Sequence, residues 1–308
     1  PAQNIEKGTV EIGIVEGKVG NIEVEGNKYY TTNFIKKYFE STKKEDALNS
    51  KTLERSLLLL NDLPKEYVMA TLTKGEFEGT TDIVLNAKEL EFPYNLSLFA
   101  NNYGSRYTGK IRAGLSFDLG NLTKHGDIFS ITGITNPKDI DDMKYYKLGY
   151  TLPLNGYGTQ AYVNYSYMDY EVGKELAILG IEGEGEIFTL GVKHPLIRAR
   201  DKNLSWSAEL SKKNMTNFLF EKTFTTSKDE YSVLELALQG DKLKNNSHLY
   251  ASLKTTFGLG DAFGGMDDDE YVNSSRPGLA NSDWVKLNLD LTDLYKLGRC
   301  QLITRVGG

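Results

Sequence analysis

Between about residue 95 and residue 305 the chain alternates apolar and polar residues, segment after segment. Ile111, Ala113, Leu115, Phe117 and Leu119 alternate with Lys110, Arg112, Gly114, Ser116 and Asp118. Leu204, Trp206, Ala208 and Leu210 alternate with Ser205, Ser207, Glu209 and Ser211, and Val285, Leu287, Leu289 and Leu291 with Lys286, Asn288 and Asp290. Side chains of a strand point to opposite faces with period two, so each segment has one greasy face and one wet face. The wet half is too polar to line a dry core. Many such strands of about ten residues, joined by turns, fit a barrel with lipid outside and water inside.

Composition agrees and excludes some classes. The 308 residues carry a net charge of -6, so no basic surface recommends nucleic acid as a partner. Nineteen Tyr and thirty Gly beside seven Pro suit aromatic girdles and tight turns, although a soluble β-protein shares that composition. The lone Cys300 rules out an internal disulfide. No run of about eighteen apolar residues predicts a transmembrane helix. Alternating strands score as hydrophilic, in line with a mean hydropathy of -0.41. The opening Pro-Ala-Gln-Asn has neither the charged nor the apolar region of a signal peptide.

The first ninety residues follow another grammar. Val10–Val15 and Val19–Val24 read as extended, and Thr31 or Thr32 caps a helix to about Glu40 with Phe34, Tyr38 and Phe39 on its apolar stripe. Asn49 or Ser50 caps a second helix, in which Leu53, Leu57 and Leu60 recur up to Leu63-Pro64. Strands over Tyr67–Thr73 and Thr80–Ala87 complete a β-α-α-β-β order, a small α+β domain over 1–90. From Pro93 onward the pattern predicts no helix and eleven strands: 94–103, 107–119, 126–136, 143–154, 158–170, 185–197, 202–213, 230–240, 247–258, 283–294 and 299–306.

Gly8–Gly17 followed by Val24–Asn27 resembles the start of a POTRA domain, specifically the second POTRA of the two-partner-secretion transporters (TpsB), a branch of the Omp85 superfamily. Asn102–Gly109 with Arg112 and Gly126-Asp127 resembles that family's first barrel hairpin. Tyr150–Leu154, and Leu190–Arg200 through Asn203-Leu204, are similar to its mid-barrel signatures. The resemblance implies an α+β POTRA domain followed by an antiparallel transmembrane β-barrel at 91–308, in the bacterial outer membrane with the POTRA domain in the periplasm. It also implies a secreted TpsA-type exoprotein as partner, and outer-membrane lipid around the barrel. The family carries a further POTRA domain before these parts and about sixteen strands in its barrel, so the sequence reads as a piece of a larger transporter. An Omp85-type assembly or insertion factor uses the same parts and is the alternative; a soluble β-sandwich enzyme is the second rival.

No catalytic constellation, cofactor motif or metal site emerges. The three His (125, 194 and 248) lack ligand spacing, Cys300 lacks a CxxC partner, and Gly180–Gly185 follows no βαβ pattern. Met266–Glu270 is acidic enough for calcium but lacks the EF-hand spacing and reads as a solvated loop. The expected function is therefore physical. Arg or Lys at mid-bilayer on the lipid side costs about 2–4 kcal/mol, so Lys110, Arg112, Asp118, Lys193, Glu209, Lys254, Lys286 and Asp290 are expected to line the pore. Arg198, within a family-like motif, is expected there too. POTRA sheets leave their second strand at an edge, which points to Tyr67, Val68, Met69, Ala70 and Leu72 as a backbone docking site. Leu57 is assigned to the core, and Leu58, off the main stripe, to the adjoining groove.

Overall fold

The computed structural model describes residues 17–64, 66–90, 94–266, 274–277 and 281–308. The strand expected at 10–15, most of Gly8–Gly17, and the acidic run 267–270 lie outside these residues.

The small domain begins with β1 (Lys18–Glu25), followed by helices α1 (Thr32–Lys37), α2 (Glu40–Lys44) and α3 (Ser50–Asn61), then β2 (Glu66–Lys74) and β3 (Thr80–Glu89). Thr31 caps α1 by accepting from the Phe34 amide at 3.3 Å, and Asn49 caps α3 through the Lys51 amide at 2.9 Å. The helix expected to reach Glu40 stops at Lys37 and restarts at Glu40. The break keeps Tyr38 and Phe39 both buried. The sheet runs β1-β3-β2, with β1 parallel and β2 antiparallel to β3, so β2 is an edge strand. The three helices cover one face. Ile35, Phe39 and Leu60 meet Ile83 and Leu85 there with no exposure at all.

Glu66 disturbs this core. It is 6% exposed, neither carboxylate oxygen has a hydrogen-bond partner among the described residues, and it stands opposite Glu89 in the β2–β3 register. Burial, then the Glu89 charge, push its pKa from 4.5 to about 7. An acid whose pKa rises on folding stabilises the fold fully below its unfolded value. That contribution fades as pH climbs through the folded value, a difference of roughly 3 kcal/mol at most. Glu66→Gln is therefore expected to raise the small domain's stability at pH 8 and flatten its decline between pH 5 and 8. Exchange protection of the Ile83 and Leu85 amides, corrected for intrinsic rate at each pH, reads this out. An unchanged pH slope would refute it.

The second body is an eleven-stranded antiparallel sheet in sequence order: β4 (Tyr94–Asn101), β5 (Arg112–Gly120), β6 (Ile128–Thr135), β7 (Met143–Pro153), β8 (Gln160–Glu171), β9 (Glu182–Arg198), β10 (Lys202–Leu219), β11 (Phe224–Lys244), β12 (Ser247–Gly258), β13 (Val285–Leu297) and β14 (Cys300–Gly307). All eleven coincide with expected strands. Short 3-10 turns at Lys174–Leu179 and Ala262–Gly264 are the helical pieces among the described residues of this region. β5 starts at Arg112 rather than 107, and β10 and β11 run to 18 and 21 residues, beyond the expected ends.

The register carries an apolar band from strand to strand on one face. Leu96 stands opposite Phe117, Leu204 opposite Gly240, Trp206 opposite Leu238, and Leu238 in turn opposite Leu253, which faces Leu289. These side chains are open to the surroundings: Leu98, Leu190, Leu238, Leu253 and Leu289 are all exposed. The other face pairs Asp118 with Ser130, Glu209 with Glu235, and Ser252 with both Gln239 and Asp290.

Candidate functional site

Three places could meet a polypeptide: the open edge of β2, the polar face of the large sheet, and the junction between the two bodies.

On β2, Val68 is buried and Ala70 half-buried on the helix side, while Tyr67 and Met69 are exposed on the opposite face and Leu72 is exposed at the far end. Leu58 is half-buried and stands outside the core cluster, against whose rim Leu57 packs. Asn61, the last residue of α3, lays its carboxamide along this edge. The Val68 amide donates to Asn61 Oδ1 at 2.6 Å, and Asn61 Nδ2 donates to the Val68 carbonyl at 3.0 Å. In an antiparallel ladder alternate residues turn both backbone groups toward the partner strand or away from it. Val68 therefore faces away from β3, and so do Ala70 and Leu72. Among the described residues nothing bonds the outward groups of those two. The edge expected over the whole strand thus opens only beyond Val68.

The polar face carries both signs of charge. Glu209 accepts from the Tyr162 hydroxyl at 2.6 Å, Lys254 pairs with Glu235 at 2.8 Å, and Asp118 accepts from Ser130 at 2.7 Å. Tyr162 lies across Gly191, Phe99 across Gly114 and Tyr170 across Gly183, where any Cβ would collide with the ring. Lys193 and Lys286 occupy the same face, opposite Ser207 and Thr256 respectively. Two expected wall residues are differently employed. Lys110 precedes β5 and sits in the loop at the end away from the small domain, beside Arg106, Asn136 and Lys138 around a cavity of about 610 Å³. Arg112 is on the polar face, yet its guanidinium turns back on that loop, donating to the Thr108 and Gly109 carbonyls at 2.7 Å each.

Arg198 stands opposite Asn203 on the polar face, at the end of that face nearest the small domain, and its guanidinium serves the junction. At the end of β9 it makes a two-pronged bond to Asp62, just past α3, with both contacts at 2.7 Å, and reaches Asn203 at 3.0 Å. Arg200 pairs with Glu54 at 2.6 Å, and Arg55 donates to the Pro195 and Leu196 carbonyls at 2.5 and 3.2 Å. Planar bidentate pairing fixes orientation as well as distance. Turn glycines complete the fit. At Gly158 (φ +86°) a Cβ would lie 2.6 Å from Leu59 and 2.7 Å from Pro195, and at Gly156 it would overlap the Lys37 carbonyl. A cavity of about 290 Å³ opens here, lined by Tyr38, Asp62, Leu63, Gln160, Lys193 and Ser205 among others.

Residues 79–301 match the family of haemolysin secretion/activation proteins ShlB/FhaC/HecB. The chain belongs to this family. Similar proteins include the heme/hemopexin transporter protein HuxB of Haemophilus influenzae, 24% identical over 84% of this chain and 45% of HuxB. The outer membrane transporter CdiB-2 of Burkholderia pseudomallei is 23% identical over 84% of this chain and 44% of its own length. Among solved structures, CdiB from Escherichia coli superposes with a TM-score of 0.78 at 20% identity, covering 95% of this chain and 54% of CdiB. BamA from Haemophilus ducreyi gives 0.55 at 14% identity, over 94% of this chain and 55% of that one. The chain thus spans about half the length of the curated relatives it matches, and the large sheet is a wall of this family's barrel.

Within that family frame, the Gly126-Asp127 pair is a structural device of the turn between β5 and β6. Asp127 is fully buried, and burial alone drives its pKa upward. Bonds from the Thr123 amide and hydroxyl at 2.9 and 2.7 Å and from Tyr150 at 3.1 Å outweigh that and hold the carboxyl below its usual range. Gly126 (φ +74°) lets Leu63 of the small domain approach, since a Cβ there would lie 2.8 Å from its side chain. Sequence reasoning missed Asn61, Asp62 and Arg55. An Asn-Asp pair before Leu-Pro signals only a helix end, and nothing in it announces a clamp on one side and an ion pair on the other.

Proposed function

We propose that this chain is the capturing and conducting part of an outer-membrane two-partner-secretion transporter. Its POTRA domain, in the periplasm, takes the amino-terminal secretion domain of a TpsA-type exoprotein onto the open edge of β2. The captured chain then passes in extended form along the polar inner face of the barrel, with the apolar outer face in lipid. The observation that carries the reading is an open strand edge held by three arginines at the mouth of a wall whose inner face is polar and of mixed charge. Such an inner face hydrates an unfolded chain without adhering to it, and backbone pairing captures sequence-diverse segments. Family membership and the names of HuxB and CdiB, both transporters, support it.

Proline removes an outward N–H and blocks pairing. Ala70→Pro and Leu72→Pro are expected to lower, by tenfold or more, the medium protein whose release depends on this gene. The amount of transporter in the outer membrane should stay the same. Undiminished release from both variants would overturn capture through β2.

A further inference from the structure

This inference rests on the capture reading just given. We infer that Asn61 is a strand mimic that fixes the register in which a chain adds to β2 and ends the added strand before the barrel. Its carboxamide presents one acceptor and one donor to Val68, the same two groups that a residue of an incoming antiparallel strand would present. The first outward slot of the edge is therefore filled from within. Edge strands with unfilled slots are templates for pairing; here pairing can start only at Ala70 and proceed through Leu72 toward Lys74. Leu72, Thr73 and Lys74 are exposed, whereas Val68 is buried, so the accessible stretch coincides with the unfilled slots.

The position of the clamp gives it a second consequence. Asn61 is followed directly by Asp62, which bonds Arg198, and by Leu63; both line the junction cavity with Lys193, Gln160 and Ser205 of the barrel's inner face. A chain paired to β2 must leave the sheet beside that cavity, because the next ladder position is occupied. Asn61 is thus a positioning residue: it sets where pairing stops, and the class of ligand is an extended polypeptide recognised through its backbone.

The test is residue-resolved amide exchange on the whole chain in detergent, alone and with a lysine-ended twelve-residue peptide of alternating valine and threonine. In the free protein Val68 should exchange at least tenfold more slowly than Ala70 and Leu72. The peptide should slow Ala70 and Leu72 about tenfold and leave Val68 unchanged. In Asn61→Ala, Val68 should become fast in the free protein and slow with peptide, lengthening the footprint by one outward residue. Asn61→Asp, which keeps the acceptor and loses the donor, should retain part of the Val68 protection, and it serves if the alanine variant does not fold. Fast exchange at Val68 in the unmodified protein, or the same footprint with and without the Asn61 carboxamide, would overturn the register role while leaving capture intact. A peptide that slows neither Ala70 nor Leu72 in any variant would remove the capture reading and this inference with it.

Discussion

Arginine in place of Leu238 should cripple insertion of the barrel, whereas arginine in place of Ser252 should scarcely be noticed. Leu238 lies between Trp206 and Leu253 on the apolar face, two strands from Leu289. A guanidinium at that depth meets hydrocarbon and costs about 2–4 kcal/mol, a shift of roughly thirty- to a thousand-fold in the folded fraction. Ser252 stands on the neighbouring strand with its side chain on the other face, beside Gln239 and Asp290. There an arginine keeps its water and gains an acid. Urea titration of the two variants folded into phosphatidylcholine vesicles measures the difference. Equal midpoints would mean that the faces are assigned wrongly, and every lumen residue named above would fall with them.

The second large effect is expected at a turn. Gly156→Ala should loosen the seat of the POTRA domain on the barrel, because the new methyl group overlaps the Lys37 carbonyl and lies 2.8 Å from the Tyr38 nitrogen. Those are backbone atoms, so neither can swing aside as a side chain would. Overpacking of this kind costs about 1–3 kcal/mol, which moves the docked-to-undocked ratio by roughly five- to 150-fold. Spin labels at Lys43 and Lys202 in a Cys300→Ser background should report a broadened distance distribution. Gly133→Ala is the control, since among the described residues nothing stands within 4 Å of a Cβ there. If both variants keep the narrow distribution of the parent, the domain is held by the arginine contacts alone.

How much of this the sequence disclosed depended on whether lipid or only water touched the residues. Where the outer face meets hydrocarbon, as from Leu204 to Leu210, alternation is forced and the strand is legible. Beyond that band the outward residues of β10 are Lys212, Asn214 and Thr216, and those of β11 include Lys228 and Glu230. The alternation vanishes although the strand continues, so both strands were read short. Lys110 failed for the opposite reason: Lys110-Ile111 prolongs the alternation of β5 into a loop outside the strand ladder. The POTRA helices were readable from capping residues and leucine spacing. The edge strand was readable as a strand, but its usable part was not. That depends on one carboxamide arriving from another element, and pattern within a strand carries no trace of it. Arg198 shows the same limit, since its motif marks it as special without saying which body it serves.

The junction has an evolutionary and engineering consequence. Glu54, Arg55 and Asp62 on the α3 side, and Pro195, Arg198 and Arg200 on the barrel side, are one interlocking part divided between two regions of the sequence. Changes on either side should be inherited together among relatives, as paired substitutions rather than independent ones. For a chimera, the natural unit of exchange is accordingly the POTRA domain plus the β9–β10 turn. A graft that moves the domain alone would leave two arginines addressed to acids that are no longer there.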